Sequence, residues 1–126
     1  MKQNSIISKE CSLNILAIND TMEILGGKWK FSIIACLCFH SDDHPMRYSE
    51  LLKNVQGISG KMLSRELKEL EVNGLIERNV LSTAPVSVEY KITEYGNSLK
   101  DLTQTIAKWG LNHRKRIIKE MEKKTS

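Results

Sequence analysis

Leu63, Leu67 and Leu70 recur at the four- and three-residue steps that place side chains on one side of a helix, while Lys61, Ser64, Arg65 and Lys68 fall on the other. The stretch "GISGKMLSRELKELEVNGLIER", 57–78, therefore predicts an amphipathic helix. Ser59 caps its start, it runs to about Asn73, and Gly74 takes the following position, which favours a left-handed residue. Glu66, Glu69 and Glu71 are read as solvated, diluting the positive charge of the polar face.

Upstream, Asp20 is a plausible cap for a short helix "TMEIL" that stops at Gly26-Gly27. A second helix starts near Trp29 and carries Trp29, Ile33, Cys36 and Leu37 on one face, which makes it a core helix. The polar "HSDDHP" predicts a loop, "MRY" a short extended piece, and "SELLKNV" a helix with Ser49 near its cap. "QGIS" is a tight turn, so two helices joined by a short glycine-bearing connection precede residue 73.

"LIERNVL" and "VSVEYKI" alternate apolar and polar residues around "STAP", the mark of a β-hairpin with Ile76, Val80, Val88, Tyr90 and Ile92 facing inward. From a cap at Thr93 a long helix is expected to about Lys119, with Leu99, Leu102, Ile106, Trp109, His113 and Ile117 in one stripe. A helix that long overhangs so small a unit unless a second copy covers it.

The succession predicts a mainly α fold with a small β-hairpin wing: a winged helix-turn-helix with a long C-terminal dimerisation helix. One domain is expected over 1–126, with residues 1–25 as arm and short helix, 26–92 as winged-helix core, and 93–126 as dimerisation helix and basic tail. In such a motif the second helix enters the major groove, which is about 12 Å wide and admits one helix. Ser59, Lys61, Ser64, Arg65 and Lys68 then face DNA. Arg65 is the base-reading candidate because its planar fork matches guanine, and Lys61 and Lys68 suit phosphates. Arg47, Ser49, Lys28, Ser82, Thr83 and Ser87 are further DNA-binding candidates, Lys28 for the backbone and Ser87 for a phosphate.

Charge sharpens this reading less than its total promises. The net +4 is a tail property: residues 1–99 sum to −1 and residues 100–126 to +5. The longest apolar run, "FSIIACLCF", is too short for a membrane span of roughly 18 residues or more, and the N-terminus lacks a secretory pattern, so a cytoplasmic location is expected. Three cysteines, Cys11, Cys36 and Cys38, form no disulfide framework. Cys36 and Cys38 with His40 and His44 do not share a helix face as a metal set would, so no metal or other cofactor is expected. Asp42 and Asp43 belong to turn chemistry, and no nucleophile elbow, phosphate loop or Cys-His constellation indicates an enzyme.

"GGKW" at 26–29, the 57–78 stretch and "VEYKITEYG" at 88–96, in that order, resemble the HxlR-type branch of MarR-like bacterial regulators over roughly residues 20 to 112. The resemblance implies a dimeric winged-helix transcription factor, usually a repressor, on inverted-repeat operators. It also implies pairing through the terminal helices, which here carry Leu13 and Leu16 besides the 99–117 stripe. Some members sense oxidants or electrophiles through a cysteine closer to the Gly-Gly pair, about where Leu16 stands; Cys11, beside Lys9, is the redox candidate here. Many relatives have arginine just before Val-Glu-Tyr, and this chain has Ser87. Two other readings stay open: a winged-helix protein-interaction module without specific DNA binding, and a regulator that also takes an unknown small-molecule effector.

Overall fold

The computed structural model describes residues 7–40 and 45–125. Ser41, Asp42, Asp43 and His44 of the expected loop lie outside them.

Nothing between Ser8 and Gly26 breaks a helix, and α1 occupies that whole interval, Lys9–Leu25. Ser8 caps it, its Oγ accepting the Cys11 N–H at 3.0 Å. Asp20 caps nothing: it lies inside a 17-residue helix, because the Leu and Ile residues before it extend the helix rather than leave it. The Gly26 N–H donates to the Met22 carbonyl at 2.8 Å and Gly27 turns the chain at φ +98°.

Helix α2 (Lys30–Phe39) supplies Ile33, Ile34 and Leu37 to the core. Trp29 and Cys36 of its expected face are half-buried at the core's margin. Strand β1 is the pair Met46–Arg47 and helix α3 is Tyr48–Asn54. Ser49, expected near the cap, stands two residues after it, in the helix's first turn. Arg47 takes the cap position because β1 is fixed against the hairpin, opposite Glu89, and its N–H donates to Glu50 Oε1 at 2.8 Å.

Helix α4 (Gly60–Val72) starts after Ser59, whose Oγ accepts from the Met62 N–H at 3.1 Å. It ends as the sequence predicts. Gly74 has φ +75°, and two bonds, Gly74 N–H to Glu71 O and Leu75 N–H to Leu70 O, close a Schellman motif. Leu63, Leu67, Leu70 and Leu75 are all buried.

Strands β2 (Ile76–Leu81) and β3 (Ser87–Ile92) form the antiparallel hairpin, and β1 pairs on the far edge of β3, giving the order β1-β3-β2. Ile76 and Tyr90 are buried at its base, with Val88 and Ile92 packed beside them. Val80 is not inward: it is 55% exposed, because at that point the hairpin has run past the core's edge.

Thr93 Oγ1 donates to Gly74 O at 2.7 Å and accepts from the Gly96 N–H at 2.9 Å, capping a one-turn helix α5 (Glu94–Asn97). Gly96 packs so closely on the Leu75 carbonyl that a Cβ there would collide with it. The long helix is thus interrupted. Helix α6 begins only at Lys100 and runs to Thr125, packing its first turns against α2.

Candidate nucleic-acid interface

Packing of the three leucines turns the opposite side of α4 outward, and Lys61, Ser64, Arg65 and Lys68 are all exposed there. Glu66 is the exception to the solvated reading of the glutamates. It is 6% exposed, and its two carboxylate oxygens each sit 3.1 Å from Nζ of Lys30, which is equally buried. Glu69 Oε1 completes the cluster at 2.7 Å from the same Nζ. One of the helix's glutamates is therefore neutralised inside the fold, and the outward face is more positive than its sequence suggests.

Two hydrogen bonds set the angle between α3 and α4. The Tyr48 hydroxyl donates to the Gly60 carbonyl at 2.9 Å, and Ser64 Oγ lies 3.1 Å from that hydroxyl oxygen. With the phenol's one proton given to a carbonyl that can only accept, Ser64 is the donor in the second bond. Glycine suits position 60 because a Cβ would already press on that phenol at 3.3 Å.

Between α3, α4 and the hairpin runs an open groove of about 460 Å³, lined by Arg47, Tyr48, Ser49, Ser64, Arg78, Ser87 and neighbours. The fold thus gathers Arg47, Ser49, Ser64 and Ser87 into one groove of mixed lining, with Val86, Val88 and Tyr90 among them and two guanidinium groups along it. Lys61, Arg65 and Lys68 lie on the adjoining face of α4. Ser82 and Thr83 are in the exposed hairpin turn; Thr83 Oγ1 donates to Pro85 O at 2.6 Å and lies 3.4 Å from Oγ of the groove-lining Ser87. Lys28 stands in the turn before α2 with Nζ 4.7 Å over the Trp29 ring.

Sequence reasoning missed Arg78 and Tyr48. Arg78 sits opposite Tyr90 and shares a strand face with Ile76 and Val80, so the alternation that marks that face as apolar hides a cation on it. Lys30 was missed too, since a lysine opening a core helix carries no local sign of its partners thirty-six residues on.

The other candidate residues lie elsewhere. Leu13 and Leu16 are exposed on α1, and Leu102, Ile106, Trp109, His113 and Ile117 on α6, where the Trp109 and His113 rings stack at 5.1 Å. Leu99 differs from them, being half-buried against the core. Cys11 is exposed in the first turn of α1. Burial in apolar surroundings pushes the Cys36 and Cys38 thiols above their ordinary range, as expected of packed cysteines rather than reactive ones. No group of three His, Cys, Asp or Glu comes together among the described residues.

Comparison with known proteins places this architecture. The family model described as HxlR-like helix-turn-helix matches residues 24–118. The chain belongs to the HxlR-like helix-turn-helix family. It is a winged-helix, DNA-binding transcriptional regulator of MarR-like type, in a family of regulators rather than enzymes. The HTH-type transcriptional regulator YtcD of Bacillus subtilis (strain 168) is 39% identical over 102 residues, covering 81% of this chain and 78% of the relative. The YtcD crystal structure aligns with a TM-score of 0.71 over 78% of this chain and 96% of that one. The redox regulator HypR in its oxidised form is 30% identical, with a TM-score of 0.68 over 76% of this chain and 95% of its own. The reduced transcriptional regulator YodB from B. subtilis is 38% identical, with a TM-score of 0.61 over 74% and 87%. No helix among the described residues is long and apolar enough to cross a membrane.

Proposed function

We propose that this HxlR-like regulator acts as a homodimeric repressor on an inverted-repeat operator, with one α4 helix entering each of two successive major grooves about 34 Å apart. The observation that carries this reading is the outward face of α4, where Lys61, Ser64, Arg65 and Lys68 are exposed beside the Arg47–Ser87 groove. Arg65 reads a base edge, Lys61 and Lys68 hold flanking phosphates, and the groove takes the sugar-phosphate strand through Arg47, Ser49 and Ser87. Ser59, Lys28, Ser82 and Thr83 contribute at the ends of that footprint. Residues 1–126 form one unit in this reading, in which 26–92 reads DNA and the terminal helices pair.

Dimerisation is supported by large apolar side chains that remain exposed among the described residues: Leu13, Leu16, Ile18 and Met22 on α1, and Leu102, Ile106, Trp109 and Ile117 on α6. Exposed apolar side chains concentrated on two helices are a surface that a second protein copy can cover. Exposure of Cys11 on α1, within that pairing region, supports thiol oxidation as the signal, as does kinship with the redox regulator HypR.

The test is binding to the DNA flanking its own gene across a salt series, with reduced and diamide-treated protein in parallel. The regulator reading expects sequence-selective binding that weakens steeply with log salt, because each neutralised phosphate releases counterions. Diamide is expected to change that binding and Cys11→Ser to abolish the change. Weak binding common to every sequence would favour the protein-interaction module instead.

A further inference from the structure

Four ionised side chains meet where α2 begins beneath α4. Glu69 is shared between two cations on unequal terms: Lys30 Nζ is 2.7 Å from Oε1, whereas Arg65 Nε is 3.7 Å from Oε2. The first contact is a charge-assisted hydrogen bond; the second is outside hydrogen-bond range. Lys30 is also fixed in place, 7% exposed at its side chain and gripped by both oxygens of Glu66, while the Arg65 side chain is 70% exposed.

We propose that Lys30 is a positioning residue for DNA recognition: by holding the Glu69 carboxylate inward against α2, it keeps the Arg65 guanidinium free to leave its own helix for a base. The inference rests on the base-reading role of Arg65 given above.

Charge explains why the arrangement works. Arg65 and Glu69 stand four apart on one helix face, a spacing at which opposite charges pair when no stronger partner intervenes. An arginine so paired must give up its carboxylate before it can take guanine, and the stranded carboxylate would then face phosphates. Lys30 lessens both: with it in place, the Arg65–Glu69 contact is a loose ion pair at 3.7 Å. The hydrogen bond from Lys30 and then its charge are the main causes holding the Glu69 carboxyl below its ordinary range, ahead of any contribution from Arg65. Lys30 in turn stays protonated: burial, the largest single influence, works against its charge, and the hydrogen bonds and negative charges of Glu69 and Glu66 together more than offset that.

Lys30→Met alone would strand Glu66 as a buried charge, so the test removes the buried pair together. Wild type, K30M/E66M and K30M/E66M/E69Q are compared, with K30Q/E66Q in place of the double variant should it not fold by thermal unfolding. The first readout is competition between scrambled DNA and an inverted-repeat duplex selected by the wild-type protein from a random-sequence pool. The double variant is expected to lose discrimination on the order of tenfold, the size of one compromised base contact. Adding E69Q is expected to restore it, which a purely packing role for Lys30 would not do. The second readout needs no DNA: hydrogen exchange at the Arg65 Nε–H, followed by NMR, should slow in the double variant and recover with E69Q. Unchanged exchange, or full discrimination by the double variant, would overturn the proposal. Should the wild type itself select no sequence, the base-reading role of Arg65 falls, while the exchange measurement still decides whether Lys30 controls that side chain.

Discussion

Lys30 Nζ lies 3.1 Å from each carboxylate oxygen of Glu66, and fewer than one-tenth of either side chain is open to solvent. The pair ties the first residue of α2 to the middle of α4. Such a pair adds little over a well-packed apolar one, but losing one member leaves an uncompensated buried charge. Lys30→Met is therefore expected to cost about 3 to 5 kcal/mol in denaturant unfolding, whereas the K30M/E66M double variant should be within about 1 kcal/mol of wild type or more stable. Equal destabilisation by the single and double variants would show that the stranded Glu66 charge is not the source of the loss.

The same cluster sets a pH dependence with a definite sign at each end. Lys30 is raised above its ordinary 10.5, so its contribution is complete below that value and is lost as pH climbs through the higher folded-state pKa. Glu69 is lowered from 4.5, so its contribution is present above that value and is lost as pH falls through the lower one. Thermal unfolding from acid to alkaline pH should show both edges in wild type. The alkaline loss should shrink in K30M/E66M.

This cluster marks how far the sequence could be read. The leucine face of α4, its Ser59 cap, its Gly74 terminus and the hairpin all follow from local periodicity and turn chemistry, and each stands where the pattern put it. What failed to show was either a boundary or a distant pairing. Asp20 looked like a cap because caps are judged by residue type, although nothing upstream stopped the helix. The break at Ser98–Leu99 comes from Gly96 packing on the Leu75 carbonyl, a contact across twenty-one residues. Val80 follows the strand alternation correctly, yet alternation does not say where the core ends. Glu66 looked solvated because its partner lies on another helix.

Arg65 and Lys61 share the exposed face of α4 but are expected to fail differently. Removing a bidentate base contact costs about 1 to 3 kcal/mol and relaxes one position, so Arg65→Ala should lose affinity for the selected operator and little for a site altered at that base pair. Lys61→Ala should weaken all sequences alike and flatten the slope of log K against log salt by about 0.9, the share of one phosphate. Titration of both variants against a panel of single-base operator variants checks this. Parallel losses across the panel for both would remove Arg65 from base reading.

Arg78 supplies on β2 the positive charge that Ser87 does not bring to β3, since both side chains line the groove beside α3. Its expected partner is a phosphate of the strand lying in that groove, approached from the face of the sheet opposite to that of Ser87. Arg78→Ala should therefore lower operator and scrambled-DNA affinity by the same factor and reduce the salt slope by about 0.9. Because Arg78 is exposed, its loss should leave thermal stability within about 0.5 kcal/mol of wild type. A changed sequence preference in Arg78→Ala would mean that the residue reads bases or sets hairpin geometry instead.

Ile106 and Trp109 occupy adjacent turns of α6 with large parts of their side chains in water, 41% and 69% exposed. At 26 residues, α6 spans about 39 Å, more than the small core beneath its first turns can cover. A second copy laying its own α6 and α1 on these side chains would remove that apolar surface from solvent at about 25 cal/mol per Å². Placing a carboxylate in such an interface twice, once from each copy, should be prohibitive. Ile106→Asp is thus expected to shift sedimentation from dimer to monomer at micromolar concentration, with the circular dichroism of α6 reduced as its exposed turns fray. The monomer should bind a half-site duplex as wild type does but lose the gain a full inverted repeat provides. An Ile106→Asp protein that still sedimented as a dimer would place the partner surface elsewhere on the chain.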